Sequence, residues 1–155
     1  MLGQLENYRK TAPFFHETRE LVCEVIEKKY DNIAELNINS VKCVLDYLHI
    51  KQDIYRLSEL NIEDNKINEP DEWGIAVSKA FANVTEYWNA PGGKEFYDVD
   101  KYNQNDLKIA FVKSCLKEYP QKRGKEFVPG LSVLDVMMYN TPEEIRQMLD
   151  CFYTE

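Results

Sequence analysis

Residues 107–112 read Leu-Lys-Ile-Ala-Phe-Val, a short run that is apolar on both faces of an extended chain. Such a run is typical of a strand in a parallel sheet, which is covered on both sides. Residues 54–57 and 84–88 also predict short strands, and helical patterns separate the three. Strands joined through helices favour right-handed crossovers and parallel pairing. We therefore predict an α/β fold, a small three-layer-like domain with a short, mostly parallel three-stranded sheet and about five to six helices.

The remaining apolar residues recur at the spacing of amphipathic helices. Asn39 or Ser40 is a candidate cap at the start of the second helix. His49 follows the end of that helix, where a glycine in the left-handed conformation is common. Thr141-Pro142-Glu143-Glu144 predicts a capping box. The predicted longer helices cover residues 14–29, 40–48, a segment starting at Glu69-Pro70, 131–139 and 142–152.

Length and charge limit the class of protein. A chain of 155 residues suits a single domain. Twenty-seven acidic against nineteen basic residues give a net charge of −8, which argues against nucleic acid and against an anionic membrane surface as partners. No apolar run approaches the ~20 residues of a transmembrane helix, and residues 1–8 show no secretory signal. We expect one cytoplasmic domain covering residues 1–155.

Histidine and cysteine patterns predict neither a metal site nor a cofactor. No two cysteines lie within four residues of each other, so zinc-knuckle and CxxC spacings are absent. His16 and His49 have no partner at a recognisable catalytic spacing, and the usual hydrolase, NTPase and dinucleotide motifs are missing. We expect reduced cysteines that pack as small apolar side chains. They are Cys23, Cys43, Cys115 and Cys151.

The order of elements suggests where a ligand would bind. In open α/β sheets, ligands lie beyond the carboxyl ends of the strands. The first two predicted strands lead into Ser58-Glu59 and into Asn89-Ala90-Pro91-Gly92-Gly93. Backbone N–H groups of Gly92 and Gly93 could hold an anion. The alternative is an ordinary turn.

The third predicted strand leads into a long irregular stretch, residues 115–130, and such loops are usually functional or disordered. Its basic cluster, Lys122, Arg123 and Lys125, could meet a phosphate or carboxylate, or be a solvated face. Asp135 follows among apolar neighbours. A partly buried carboxylate there would mark a site, or would brace the adjacent loop.

The C-terminal third carries a recognisable pattern. Tyr119-Pro120-Gln121, Phe127-Val128-Pro129 and Leu131-Ser132-Val133-Leu134-Asp135, followed by Asn140, resemble the closing signature of the WbqC-like family. That signature is Y-x-Q, then F-x-P-x-LS-x-x-D, then Asn-Gly. Similar family segments fall upstream in order, so the resemblance covers nearly the whole chain. They are residues 8–15 (Y-x-x-x-AP-aromatic), 46–50 (Y-L-G-I), 58–60 (S-x-L) and 92–97 (glycines before a tyrosine).

The resemblance implies a bacterial protein of surface-polysaccharide (O-antigen type) biosynthesis, with transfer from an activated sugar or acyl donor as the activity it suggests. It assigns no role to individual residues; the family positions fall on Tyr119, Gln121, Phe127, Pro129, Ser132 and Asp135. We expect a cleft for a small anionic ligand, in which Asp135 and Gln121 are the catalytic candidates. The substrate-binding candidates are Ser58, Gly92, Gly93, Tyr119 and Ser132.

The chain departs from the family pattern in three ways. Thr141 and His49 stand where the family has glycine. The family's opening segment, similar to QPxYxPWxGY, and the region rich in Asn, Arg and Asp after it are not seen. We therefore expect a truncated or divergent member. A non-catalytic interaction module, whose incomplete sheet pairs with a partner chain or a second copy, stays open as an alternative, as does an inactive remnant.

Overall fold

The computed structural model describes residues 2–63, 66–121 and 126–155. In chain order its helices and strands are α1 (Leu2–Leu5), α2 (Phe15–Glu27), α3 (Ile33–Tyr47), α4 (Glu72–Lys79), β1 (Glu86–Asn89), α5 (Val99–Asn103), β2 (Lys108–Ser114), α6 (Val133–Tyr139), α7 (Pro142–Leu149) and β3 (Phe152–Thr154). Short 3-10 helices cover Glu6–Tyr8, Leu57–Glu59 and Pro91–Phe96.

The chain divides into two compact units. The first unit comprises Met1–Asp53 and Leu116–Cys151, and the second comprises Ile54–Cys115 and Phe152–Glu155. The expectation of one domain covering residues 1–155 stays a prediction.

Helices make up the first unit, in which α2 packs against α1, α3 and α6, and α6 packs against α7. Phe15, Met137 and Met138 are completely or almost completely buried. Met138 belongs to a cluster with Leu5 and Phe15, and Met137 to one with Leu48 and Ile145. The long irregular stretch predicted before α6 is confirmed for residues 115–121 and 126–130.

Side-chain caps explain where the helices begin. The Asn32 side chain accepts a hydrogen bond from the backbone N–H of Glu35, so α3 begins at Ile33. The prediction that this helix begins near Ser40 is wrong, because the Ser40 hydroxyl donates to the Asn37 carbonyl inside the helix and caps nothing. His49 follows α3 in the left-handed conformation, with φ 54°.

The capping box predicted at the start of α7 is confirmed: the Thr141 hydroxyl accepts from the N–H of Glu144, whose carboxylate accepts from the N–H of Thr141. The predicted end of this helix at residue 152 is wrong. The helix ends at Leu149, and the chain turns into β3.

The second unit holds a mixed three-stranded sheet in the order β1-β2-β3. The predicted α/β class is confirmed, with β1 parallel to β2. The third strand differs, because β3 lies antiparallel to β2 at the C-terminus of the chain. The predicted strand at residues 54–57 is wrong: residues 54–56 are irregular, and Leu57 begins the 3-10 helix Leu57–Glu59. The ring of Tyr55 packs edge-on against that of Phe81. A four-residue segment with three apolar side chains does not define a strand without a neighbour to pair with.

Candidate functional site

A buried carboxylate, that of Asp135, is the centre of a hydrogen-bond network in the first unit. Asp135 is only 5% exposed. Its Oδ1 accepts from the Tyr8 hydroxyl at 2.8 Å, and its Oδ2 accepts from the Tyr119 hydroxyl at 2.7 Å and from the Gln121 amide at 3.3 Å. Because a buried carboxylate without partners is costly, these three donors stabilise the side chain in this position.

Local structure places Asp135 at this point. Ser132 is the N-cap of α6, and its hydroxyl accepts from the N–H of Leu134. Asp135 lies three residues after the cap, and its own N–H donates to the Ser132 carbonyl at 2.9 Å. The buried residues Met137 and Met138, on the same short helix, fix its orientation in the core.

Gln121 holds together two parts of the loop that precedes α6. Its amide Nε2 donates to the carbonyl of Val128 at 2.8 Å, and its Oε1 accepts from the N–H of Val128 at 2.8 Å. The ring of Tyr119 packs edge-on against Phe127, with centroids 5.3 Å apart. Both residues that hydrogen-bond Asp135 Oδ2 are therefore fixed by contacts with residues 127 and 128.

A cleft of about 280 Å³ lies over this network, and all of its lining residues belong to the first unit. Most of the lining surface is apolar, its polar groups are hydroxyls, amides and carboxylates, and none of the described lining residues is a cation. The lining residues are Asn7, Tyr8, Thr11, Gln121, Glu126, Val128, Leu131, Asp135 and Tyr139. Among the described residues, apolar surface with a few hydroxyl, amide and carboxylate groups suits a neutral ligand with hydroxyl groups better than it suits an anion.

Asp135 has hydrogen-bonding capacity left for such a ligand. A carboxylate offers about four lone-pair positions. Two are used at Oδ2 and one at Oδ1, so Oδ1 can accept one more hydrogen bond from a hydroxyl in the cleft.

The two phenols of the network are kept in the neutral, donating form. Burial, followed by the hydrogen bond to Asp135, raises the pKa of Tyr8 to about 12. Burial also raises the pKa of Tyr119 to about 12; the hydrogen bond from Gln121 opposes the shift and the bond to Asp135 adds to it. Both hydroxyls therefore donate throughout the neutral range.

These shifts predict a stability that declines in alkali. Between pH 10 and about 12, Tyr8 and Tyr119 hold protons in the folded chain that an unfolded tyrosine would have released. The free energy of unfolding should therefore fall as pH rises through this range, and its full contribution should be present below pH 10. Urea unfolding at several alkaline pH values measures the slope. The double variant Tyr8→Phe, Tyr119→Phe should have a shallower slope, and an unchanged slope would contradict this account.

Of the predicted site residues, the structure brings Tyr119, Gln121 and Asp135 together. Ser132 is exposed and serves as the cap of α6, and its role in binding substrate stays a prediction. The basic cluster Lys122, Arg123 and Lys125 lies outside the described residues.

The other candidates belong to the second unit. Ser58 is exposed in the 3-10 helix Leu57–Glu59. Gly92 and Gly93 follow β1, as expected, but lie in the 3-10 helix Pro91–Phe96, and the N–H of Gly93 already donates to the carbonyl of Ala90 at 3.4 Å. An anion site at this glycine pair stays a prediction.

Of the described residues that line the cleft, the sequence predicted only Gln121 and Asp135 as site residues; Tyr8, Thr11 and Tyr139 are among those it missed. Tyr8 opens a segment that resembles the family, but no role was assigned to it there. The hydroxyls of Thr11 and Tyr139 form a hydrogen bond of 3.1 Å, although the two residues are 128 positions apart in the sequence. The ring of Tyr139 also contacts that of Tyr8, with centroids 6.0 Å apart.

The described residues contain no group of three or more His, Cys, Asp or Glu side chains that could hold a metal ion. Within the same residues, no helix has the length and apolar character needed to cross a membrane.

No curated protein and no solved structure shows significant similarity to the chain. The model of the WbqC-like protein family, in contrast, matches residues 1–147. That match extends from α1 into α7 and includes every residue that contacts Asp135 in the network. Because it covers nearly the whole of the 155 residues, this chain belongs to the WbqC-like protein family.

Proposed function

We propose that this protein is a transferase of bacterial surface-polysaccharide biosynthesis, and that the Asp135 cleft binds the sugar part of an activated, phosphate-bearing donor. Surface-polysaccharide biosynthesis is the pathway that membership of the WbqC-like family suggests. The observation that carries the assignment of the cleft is the buried Asp135 carboxylate, which is held by three donors and has one acceptor position left.

The lining of the cleft matches the chemistry of a sugar. A sugar presents several hydroxyl groups, each a donor and an acceptor. The Asn7 amide and the hydroxyls of Thr11 and Tyr139 offer both kinds of partner, and Leu131 and Val128 offer apolar surface. A pocket with a few convergent polar groups is the usual form of a small-molecule site.

Asp135 is also the proposed base for the transfer itself. When a hydroxyl attacks a donor, a bond forms from its oxygen to the donor, the bond to the leaving group breaks, and the hydroxyl proton must go to a base. With the donor alone, a sugar hydroxyl can use the open position at Asp135 Oδ1; in the proposed step the attacking hydroxyl occupies that position, and Oδ1 takes its proton. Gln121 and Tyr119 are positioning residues, because they act on the substrate only through Asp135.

Titration calorimetry with UDP-, GDP- and dTDP-sugars tests the proposal. At least one should bind, and Asp135→Asn should weaken that binding about tenfold, which corresponds to about 1.4 kcal/mol, because one acceptor for the sugar is replaced. Asp150→Asn is the matched control, because Asp150 is exposed in the first unit and its substitution removes the same charge. Absence of binding by the folded wild type, or equal binding by Asp135→Asn, would overturn the proposal.

A further inference from the structure

A second cavity, of about 440 Å³, lies within the second unit. It is bounded by α4, by the end of α5 and by the segment before α4. Its volume falls in the range of small-molecule sites. It shares no lining residue with the Asp135 cleft. The residues that line it are Asn61, Ile62, Glu63, Lys66, Ile67, Asn68, Glu72, Ile75, Ala76, Lys79, Ala80, Lys101, Gln104 and Asn105.

Lys79, one of the cations that line this cavity, has no carboxylate partner among the described residues. Lys101 pairs with Asp71 at 3.0 Å and with Glu72 at 3.8 Å, and Lys66 pairs with Glu63. Lys79, in contrast, donates to the neutral side-chain carbonyl of Asn105, and no carboxylate of the described residues forms an ion pair with it. In a chain of net charge −8, an ammonium with a neutral partner favours an anionic ligand.

The rest of the lining suits an uncharged ring more than it suits a bare anion. Ile75 is a core residue of the second unit, only 7% exposed, and Ile62, Ile67, Ala76 and Ala80 extend the apolar surface. Side-chain amides stand around this surface and offer both donors and acceptors. They belong to Asn61, Asn68, Gln104 and Asn105.

We propose that this cavity binds a nucleoside phosphate, with the phosphate at Lys79, the base against Ile75, and the neighbouring amides on the polar edge of the base. Lysine binds phosphate as a point charge, and the apolar surface with amides at its border fits a heterocycle. The inference goes beyond the proposed function, because no residue of the Asp135 cleft takes part.

Calorimetry with AMP, GMP, CMP and UMP, each compared with its nucleoside and with inorganic phosphate, tests the site. At least one nucleoside monophosphate should bind more tightly than both its nucleoside and inorganic phosphate. The variant Lys79→Gln should raise the dissociation constant for it at least tenfold. Raising the salt concentration should weaken binding to the wild type, because the contact with phosphate is exposed.

Lys108→Gln is the matched control, because Lys108 lies in the same unit, is 67% exposed and pairs with Glu86 outside the cavity. It should bind the nucleotide as the wild type does. Three results would overturn the inference: no nucleotide bound by the folded wild type, equal affinity for inorganic phosphate, or equal losses in the Lys79→Gln and Lys108→Gln variants. Asp135→Asn should bind the monophosphate normally, so failure of this site and failure of the proposed function are distinguished.

Discussion

Asp135→Ala should lower the free energy of unfolding by about 3 kcal/mol, because it leaves three donors without their acceptor. The donors are the hydroxyls of Tyr8 and Tyr119 and the amide of Gln121. A buried donor without a partner costs about 1–3 kcal/mol. These three side chains are only partly buried, so water can reach some of them, and each donor is expected to cost about 1 kcal/mol, the lower end of that range. Urea unfolding followed by circular dichroism of the helices measures the loss.

Two further variants distinguish the loss of the hydrogen-bond network from the loss of one negative charge. Asp150→Ala removes an exposed carboxylate from the same unit and should change the free energy of unfolding by less than about 0.5 kcal/mol. Asp135→Asn keeps an acceptor oxygen and should cost less than alanine does. A loss below about 1 kcal/mol in Asp135→Ala would show that the three donors do not depend on this carboxylate.

Part of this network could be predicted because its residues lie close in the sequence. Tyr119, Gln121 and Asp135 fall within one pattern that resembles the family, and the apolar residues around Asp135 indicate its burial. Tyr8 lies 127 positions away from Asp135. A hydrogen bond between such distant residues depends on how α1, α2 and α6 pack, and no local propensity contains that information.

The sheet shows the same difference between local and distant information. The parallel pair β1-β2 could be predicted, since its strands and the helix between them are continuous in the sequence. The third strand depends on Phe152–Thr154 pairing with the end of β2, where the Phe111 and Glu155 backbones also exchange two hydrogen bonds of 3.0 Å. Residues 152–154 come directly after an amphipathic helical pattern. That pattern therefore predicts a helix that continues to residue 152 and gives no sign of the strand.

Gln121 was predicted as a catalytic candidate, and that role stays a prediction; its contacts favour a positioning role instead. Its position in the Y-x-Q pattern marked it as catalytic, yet its amide is occupied by both backbone groups of Val128 and by Asp135. With its oxygen already accepting from Val128, Gln121 is better suited to hold the loop and orient Asp135 than to touch substrate. A sequence pattern can select a residue as a candidate. The hydrogen-bond partners of its side-chain atoms are needed to tell a residue that positions a catalytic group from one that contacts substrate.

Gly74→Ala should lower the free energy of unfolding by about 3 kcal/mol, the upper part of the usual range for overpacking a core. Gly74 is buried in α4, and an added Cβ would lie 2.3 Å from the Tyr102 hydroxyl oxygen and 2.9 Å from the ring of Tyr87. Tyr102 has no exposed surface, and its hydroxyl donates to the carbonyl of Asp71 at 2.7 Å. Moving the ring away would break that hydrogen bond and disturb the core around it. The expected loss is a net value, since alanine alone favours a helix over glycine by about 1 kcal/mol.

Gly92→Ala is the matched control for this prediction. A Cβ at Gly92 would meet no atom within 4 Å, and its φ lies outside the left-handed region. Its free energy of unfolding should therefore stay within about 0.5 kcal/mol of the wild type or rise slightly. Urea unfolding followed by tryptophan fluorescence suits both variants, because Trp73 and Trp88 belong to the second unit. Equal stability of the two variants would contradict the close packing of Tyr102 and Tyr87 against Gly74 of α4.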